Sequence, residues 1–336
     1  MARAKKILIF FLLILVALGL IAGCYFFVGR APKQKKITWG VNFSQMQAVD
    51  LGLDWKQLYL ALLEDLGALN IKLITNWDVV EPKKGVFDFT DTDWQVNQAE
   101  DYHVNILYVV GMKTGRWPEC HVPGWAGGMP KQAQQEEILA YVKETVLRYK
   151  NSPAIIAWQA ENEPLFRFGK CPWYDKAFLK KEIALIKSLD PSRPVVVSDS
   201  GEQSLWLAVA NIGDIVGVTT YRSAWFHVTD KIGFYFKFPV PPVFYWRRAQ
   251  IINYFFGKKV IGVELQAEPW APKPFSEVSL DEQEKTMNLA QFKKNIAYAK
   301  ATGLDTFYFW GTEWWFWLKE KQARPEIWNT AKELFR

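Results

Sequence analysis

Beyond Lys36, short apolar runs alternate with segments in which apolar residues recur at helical spacing. Most of the runs are continuously hydrophobic, which is typical of parallel strands that are buried on both faces. Eight such strands, alternating with helices over roughly 300 residues, predict an α/β fold of the (β/α)₈ type, the TIM barrel. The predicted strands cover residues 37–42, 71–76, 105–110, 155–160, 194–198, 215–220, 259–264 and 306–310.

The helical segments between these runs carry start and stop signals. Asp54 is a good N-cap, and leucines follow it at helical spacing. Asp190 and Pro191 are expected to end another helix. A capping box at residues 279–282 is expected to start a helix that ends near Gly303. A doubly wound open sheet is the alternative fold, but no Gly-rich phosphate loop follows the first predicted strand.

The first apolar run differs from the others, because it is longer than any strand. It covers residues 7–28, which is 22 uncharged residues and enough to span a bilayer as a helix. Arg3, Lys5 and Lys6 precede it, and a short basic segment of this kind usually stays in the cytoplasm. We therefore expect the residues after the run to lie outside the cytoplasm.

Alternative interpretations of this run stay open. Residues 21–24 resemble the lipobox of bacterial lipoproteins, in which Cys24 is lipidated after cleavage. Residues 25–28 continue the apolar run, which favours an uncleaved signal anchor. A third alternative is a secreted protein that is cut after the apolar segment. We divide the chain into a signal anchor or lipoprotein signal, residues 1–36, and a barrel domain, residues 37–336.

The charge of the chain is concentrated at its N-terminus. Residues 1–36 contain seven basic residues and no acidic residue, so the overall net charge of +6 leaves residues 37–336 with −1. A nearly neutral barrel lacks the basic surface that binds nucleic acid. The three histidines have no metal-ligand spacing, and neither a P-loop nor a nucleophile elbow occurs. We therefore predict no metal, no cofactor, no nucleic-acid partner and no obligate protein partner.

Carboxylates follow or end two of the predicted strands. In TIM barrels the active site forms at the carboxyl ends of the strands. Glu163 follows the fourth strand and Glu264 ends the seventh, so the two side chains are expected to meet at the mouth of the barrel. Glycoside hydrolysis needs such a pair, because one carboxyl protonates the leaving oxygen while the other, ionised, attacks the sugar or activates water.

The segment WQAENEP at residues 158–164 resembles the W-x-x-x-N-E-P signature of clan A glycoside hydrolases. Residues 77–89 also fit the W-x-x-x-E-P-x-x-G-x-F-D-F pattern that follows the second strand in several families of this clan. The resemblance implies that Glu163 is the acid/base and Glu264 the nucleophile of a retaining mechanism. The other residues to which it assigns a role are Asn162 on the sugar 2-hydroxyl, Tyr221 beside the nucleophile and Trp310 as the floor of the sugar site.

The chain departs from the clan pattern in two places. Many members carry an arginine near the end of the second strand, where this chain has Asn76 and Trp77. Arg116, in the loop after the third strand, is a candidate to replace it, and His121 in the same loop is a candidate substrate contact. Some relatives have a histidine in the sixth strand where this chain has Thr219. These departures leave the exact family and the substrate open.

The sequence thus predicts a retaining glycoside hydrolase that acts on a poly- or oligosaccharide outside the cytoplasm. Its N-terminal segment is expected to attach it to a membrane. Glu268, four residues beyond Glu264, is the rival for the role of nucleophile. A transglycosidase with the same carboxylate pair and a non-catalytic carbohydrate-binding barrel are the alternatives. A binding barrel needs neither the acid nor its ionised partner, which favours an enzyme.

Two cysteines follow neighbouring predicted strands. Cys120 lies after the third strand and Cys171 after the fourth, while Cys24 belongs to the N-terminal segment. Loops that follow neighbouring barrel strands lie on the same face, and an oxidising compartment favours pairing. We therefore expect a Cys120–Cys171 disulfide.

Between the sixth and seventh predicted strands lies a stretch that is rich in aromatic residues and proline, residues 231–256. We expect it to form an enlarged loop followed by a helix.

Overall fold

The computed structural model describes residues 2–229 and 232–335. Eight of its strands close a parallel barrel in chain order, and the last of them pairs with the first. The remaining two form an antiparallel hairpin. The strands of the described residues are β1 (Thr38–Ser44), β2 (Asn70–Ile74), β3 (Asn105–Val110), β4 (Ile155–Ala160), β5 (Val195–Asp199), β6 (Ile215–Thr220), the hairpin strands β7 (Ser223–His227) and β8 (Gly233–Lys237), β9 (Lys259–Gln266) and β10 (Thr306–Trp310).

All eight predicted strands are present, so the barrel fold is confirmed. β3, β4, β6 and β10 have the predicted bounds. β1 and β9 each extend two residues beyond their predicted ends, to Ser44 and Gln266. Glu264 consequently lies inside β9 and not at its end.

Helices connect the strands and cover the outside of the barrel. Asp54 caps α3 as predicted, because its side chain accepts hydrogen bonds from the N–H groups of Lys56 (2.9 Å) and Gln57 (3.2 Å). The helices of the described residues are α1 (Ala2–Phe27), α2 (Gln45–Asp50), α3 (Trp55–Glu64), α4 (Trp77–Val80), α5 (Thr90–Asp101), α6 (Lys131–Tyr149), α7 (Lys176–Leu189), α8 (Leu207–Ala210), α9 (Pro242–Phe256), α10 (Leu280–Glu284), α11 (Leu289–Ala301), α12 (Thr312–Lys321) and α13 (Glu326–Phe335).

The helix predicted from the capping box to the vicinity of Gly303 is interrupted. Ser279 caps α10, and its hydroxyl accepts a hydrogen bond from the N–H of Glu282 at 3.3 Å. Asn288 then caps α11, and its side chain accepts from the N–H of Gln291 at 2.9 Å. An extended asparagine starts a new helix here because its side chain satisfies an N–H of the first turn that would otherwise be free.

The interior of the barrel is filled by side chains from alternate strand positions. The upper cluster consists of Ile74, Val109 and Trp310, which lie near the carboxyl ends of their strands. Lys72 also points inward, because its neighbours in β2, Ile71 and Leu73, belong to the core between the sheet and the helices. The lower cluster consists of Leu107, Ala157, Val196, Ile261, Val263 and Tyr308.

The N-terminal helix α1 is exposed and apolar. Within its segment Lys5–Phe27, the most apolar stretch of 18 residues has a mean hydropathy of 3.1, and the segment is long enough to cross a membrane, a property that a signal sequence shares. The end of α1 contacts the barrel, because the rings of Phe26 and Phe27 pack against Phe244 of α9 at 5.9 and 5.1 Å. The segment composition therefore fits either a membrane anchor or a signal.

The aromatic stretch at residues 231–256 forms a hairpin strand and a helix. Lys231 lies outside the described residues. From Gly233 onward the chain forms β8, which pairs with β7, and then α9, which ends at Gly257 in a left-handed conformation (φ 64°). The predicted loop is thus organised as an antiparallel hairpin.

Candidate active site

Glu163 lies just beyond β4 in a turn with unusual backbone geometry. The φ angles of Glu161 and Glu163 are 60° and 44°, values that are rare for residues other than glycine and often mark functional sites. The N–H of Glu163 donates to the Ser198 hydroxyl at 2.8 Å, and its carbonyl oxygen accepts from Lys113 Nζ at 3.0 Å. Its carboxyl group accepts a hydrogen bond from the Thr219 hydroxyl at 3.1 Å. The turn therefore holds this side chain in one direction at the mouth.

A β-bulge directs Glu264 into the barrel. Val218 of β6 pairs with Gly262, but the next residue, Thr219, pairs with Glu264, so Val263 is the extra residue in β9. Val263 belongs to the inner cluster, and strict alternation would have sent the following side chain to the helix layer. The bulge restores the inward direction, as bulges beside active sites commonly do.

Each carboxylate oxygen of Glu264 accepts a hydrogen bond. Lys72 Nζ lies 3.0 Å from Oε1, and the Tyr221 hydroxyl donates to Oε2 at 2.9 Å. The Lys72 and Glu264 side chains are 0% and 4% exposed, so the two charges form a buried ion pair. The ammonium and the phenol fix the carboxylate in direction and compensate its negative charge.

Lys72 is a residue of the candidate site that the sequence analysis missed. Besides Glu264, it donates to Oδ1 of Asn162 at 3.3 Å, and it lies 5.6 Å from the ring centre of Trp310. The sequence did contain a signal, because a lysine inside the continuous apolar strand β2 has to be buried. A buried ammonium requires a compensating carboxylate.

Arg116 binds two other carboxylates of the mouth. Its guanidinium forms a salt bridge with Glu268 and another with Glu313, the latter at 2.6 Å. It also stacks on Trp310 at 4.2 Å from the ring centre. The cation that contacts the predicted nucleophile is thus Lys72 of the second strand, whereas Arg116 contacts other carboxylates of the mouth. Glu268, the rival for that role, is held by Arg116.

The carboxyl groups of the mouth differ in proton affinity. Burial raises the pKa of Glu163 well above its usual range, and the charge of Glu264 raises it further, while the charge of Lys113 opposes the shift. Burial also raises the pKa of Glu268 to about 7, although the charge of Arg116 opposes that shift. Glu163 is therefore suited to carry a proton near neutral pH, as a general acid must.

Glu119 adds a further buried carboxyl beside the pair. Burial raises its pKa to about 7, opposed by the charge of Lys113 and assisted by that of Glu264. Its φ is 76°, and its Oε2 atom has no hydrogen-bond partner among the described residues. A buried acceptor that lacks a partner is suited to a hydroxyl group of a ligand.

The remaining residues singled out from the sequence occupy the floor and a supporting loop. Asn162 accepts a hydrogen bond from Gln159 Nε2 at 3.3 Å as well as the bond from Lys72. His121 is buried with Nε2 3.0 Å from the carbonyl oxygen of Gly115. Gly115 has a φ of 94°, and a side chain there would crowd Trp310 and Asn162. The described contact of His121 thus supports the loop, and its contact with a substrate stays a prediction.

The predicted disulfide is present between Cys120 and Cys171, whose Cα atoms are 5.1 Å apart. It joins the loops that follow β3 and β4. Cys120 directly follows Glu119, and Cys171 lies in the loop that Glu163 begins. The bridge therefore connects the two loops that carry these carboxyls.

Aromatic side chains from three loops lie around the mouth. Trp117 is 58% exposed, and its ring centre is 6.3 Å from that of Phe168. Trp270 packs against Phe168 at 5.7 Å and against Tyr221 at 5.0 Å. Flat aromatic faces bind the C–H faces of sugar rings. The mouth thus combines carboxyl groups with apolar platforms.

In sequence, the chain is similar to known glycoside hydrolases. Residues 124–233 match the family described as glycosyl hydrolases family 2, TIM barrel domain. The chain is 35% identical to beta-glucuronidase of Sus scrofa over 95 residues, which cover 28% of this chain and 14% of that protein. It is 33% identical to the probable mannan endo-1,4-beta-mannosidase F of Aspergillus flavus over 116 residues, which cover 32% of this chain and 25% of that protein. The chain thus spans a minor part of these relatives.

The fold is similar to that of a solved beta-galactosidase from Rahnella sp. R3. The TM-score is 0.60 at 12% identity, and the match covers 91% of this chain and 57% of that protein. At this identity the likeness concerns the fold alone. Together these similarities confirm the resemblance to TIM-barrel glycoside hydrolases of clan A, with the family unresolved.

Proposed function

We propose that the protein is a retaining glycoside hydrolase, with Glu163 as the acid/base and Glu264 as the nucleophile. The unequal environment of the two carboxyl groups carries this proposal. Glu163 is buried beside Glu264, and its pKa is raised, so it holds a proton near neutral pH. Glu264 accepts hydrogen bonds from the Lys72 ammonium and the Tyr221 hydroxyl. These two partners compensate the negative charge of the Glu264 carboxylate inside the barrel.

The two carboxyl groups then act in two steps. Glu264 attacks the anomeric carbon while the bond to the leaving oxygen breaks and Glu163 donates its proton to that oxygen. Glu163, now ionised, removes a proton from a water molecule that attacks the same carbon, and Glu264 departs. Lys72 and Tyr221 keep the nucleophile directed at the sugar. Asn162 is proposed to bind the hydroxyl next to the anomeric carbon.

The proposed substrate is a β-linked poly- or oligosaccharide. The names of the similar proteins, beta-glucuronidase, mannan endo-1,4-beta-mannosidase and beta-galactosidase, all refer to β-linked sugars. Trp310 is proposed to form the floor under the reacting sugar, with Arg116 and His121 shaping the loop beside it. The aromatic rings of Trp117 and Trp270 offer platforms for further sugar units.

We also propose that residues 1–36 tether the barrel domain, residues 37–336, to the outer side of a membrane. The apolar segment Lys5–Phe27 supports the tether. The Cys120–Cys171 disulfide supports an oxidising compartment. Cys24 is exposed on α1, so lipidation after cleavage stays the alternative to an uncleaved anchor. The mass of the mature N-terminal peptide from membranes distinguishes the two.

The test uses aryl β-glycosides and β-linked polysaccharides, with NMR detection of the anomer that is released first. A retaining enzyme releases the same anomer as the substrate, and an inverted product contradicts the mechanism. Glu163→Gln and Glu264→Gln should each lower kcat by about a thousandfold or more. Azide should partly rescue Glu264→Ala, because a small anion can occupy the space of the missing nucleophile.

The matched control for this rescue is Glu268→Ala, which removes the rival carboxylate of the same mouth. Rescue of that variant by azide, without rescue of Glu264→Ala, would overturn the assignment. Products extended by an added acceptor sugar, in excess over hydrolysis, would identify a transglycosidase. Sugar binding without any turnover would identify a binding barrel.

A further inference from the structure

A cleft of about 610 Å³ opens between the N-terminal tether and the outside of the barrel. The tether, residues 29–36, forms one wall, and the start of α9 and the end of α11 form the other. The Gln34 side chain donates to the carbonyl oxygen of Gly303 at 2.6 Å, which holds the tether on the barrel. The cleft is therefore part of the folded structure, and it lies on the outside of the barrel.

The rim of this cleft is strongly basic. Arg30, Lys33, Lys35 and Lys300 line it, and none of its lining residues is acidic. Within residues 2–229 and 232–335, none of the four cations forms a salt bridge with a carboxylate. The floor is apolar. It contains Ile37, Trp39 and Val243. Residues 37–336 carry a net charge of −1, whereas the lining of the cleft carries four positive charges and no negative one.

The cleft begins directly after the apolar helix. Gly29, its first lining residue, follows the end of α1 by two positions. Phe27 packs on Phe244 of α9, and the Arg247 guanidinium lies 4.7 Å from the ring centre of Tyr25. If α1 spans a bilayer, these contacts hold the cleft at the depth of the lipid headgroups.

We propose that this cleft binds the phosphodiester headgroup of an anionic phospholipid from the membrane in which α1 is anchored. The four cations contact the phosphate, and the glycerol and upper acyl carbons lie on the apolar floor near Trp39. Each basic side chain at an anionic membrane surface strengthens association by about fivefold. The bound lipid fixes the orientation of the barrel on the bilayer. The inference rests on the proposed membrane anchor but not on the proposed glycosidase activity.

The experiment titrates the full-length protein in detergent micelles with phosphatidylglycerol or with phosphatidylcholine, and counts retained lipids by native mass spectrometry. The wild-type protein should retain phosphatidylglycerol in preference to phosphatidylcholine, and added salt should weaken the binding. Changing Lys33, Lys35 and Lys300 singly to Gln should weaken it by about fivefold each. The matched control is Lys180→Gln with Lys181→Gln, on the exposed face of α7, which should bind lipid as the wild type does.

Equal retention of the two lipids would overturn the proposal, as would unchanged binding in all of the single variants. Displacement of the lipid by glycerol 3-phosphate at equal concentration would also overturn it, because the site would then recognise a free phosphate ester. Thermal unfolding of each variant checks that the barrel is folded. Carbonate extraction of membranes tests the anchor separately, and hydrolysis of aryl glycosides tests the activity separately. A loss of lipid binding by the cleft is thereby distinguished from a loss of the membrane anchor and from a loss of glycosidase activity.

Discussion

The ammonium of Lys72 in β2 lies 3.0 Å from a carboxylate oxygen of Glu264 in β9, although 192 residues separate them in the chain. Both side chains are buried, so the pair crosses the interior of the barrel just below the mouth. A charge in this place has little access to water, and its partner compensates it. The pair therefore links the stability of the barrel to the geometry of the site.

Lys72→Met should destabilise the protein by about 3–5 kcal/mol, because it leaves a buried carboxylate without its cation. Urea unfolding measures the change, and kcat/KM should fall at the same time. The matched control is Lys259→Met, which removes the exposed ion pair with Asp305 (2.9 Å, side chains 51% and 44% exposed). That variant should lose less than about 1 kcal/mol. Equal losses in the two variants would contradict the role of the buried pair.

Arg116→Met should also destabilise the protein by about 3–5 kcal/mol, because Glu268 and Glu313 both lose their buried cation. Adding Glu268→Gln and Glu313→Gln to the same chain should restore part of the loss, since the neutral amides need no cation. A thermodynamic cycle of these variants measures the coupling. Additive losses would show that the three side chains act independently.

Glu119 should make the protein less stable as the pH rises toward neutrality. Burial raises its pKa from 4.5 to about 7 in the folded state, so the folded protein binds more protons than the unfolded chain between these values. The stability linked to this carboxyl is present below pH 4.5 and is lost as the pH rises through about 7. Glu119→Gln should remove this loss, which amounts to at most about 3 kcal/mol.

Urea unfolding at several pH values measures this difference. The stability of Glu119→Gln relative to the wild type should increase with pH across that window. The control is Glu144→Gln, at an exposed position of α6, whose curve should keep the wild-type shape. Parallel curves for Glu119→Gln and the wild type would exclude the proposed titration.

The disulfide should stabilise the folded protein by restricting the unfolded chain. Cys120 and Cys171 are 51 residues apart in sequence, and closing a loop of that length contributes about 4 kcal/mol. Cys120→Ala with Cys171→Ala should therefore lower the free energy of unfolding by about that amount. KM for the glycoside should rise, because the loop that carries Trp117 loses its link to the loop after β4.

A thiol count provides the check on the bridge itself. In a chain with Cys24→Ala, the denatured and unreduced protein should show no reactive thiol. Two reactive thiols in that sample would contradict the bridge.

The eight strands and the approximate positions of the two predicted catalytic carboxyls could be predicted from the sequence alone. A strand that is buried on both faces needs a continuous apolar run, so each strand can be recognised from its local sequence. Glu163 and Glu264 could be placed at strand ends because the carboxyl ends of parallel strands share one face of a barrel. The cysteine pair followed from the same argument, since its loops belong to neighbouring strands.

Side-chain pairing across the barrel could not be predicted from the sequence, because it depends on how the strands come together. Local alternation would turn Glu264 outward, and the bulge that turns it inward arises from the pairing of β9 with its neighbours. The sequence analysis named Arg116 as a candidate to replace the clan's arginine, and the closed barrel brings Lys72 to Glu264 and Arg116 to Glu268. Such choices depend on strand register and on closure of the sheet, which join residues distant in the chain. The periodicity of apolar residues indicates only whether a residue is buried, and not which other residue its side chain contacts.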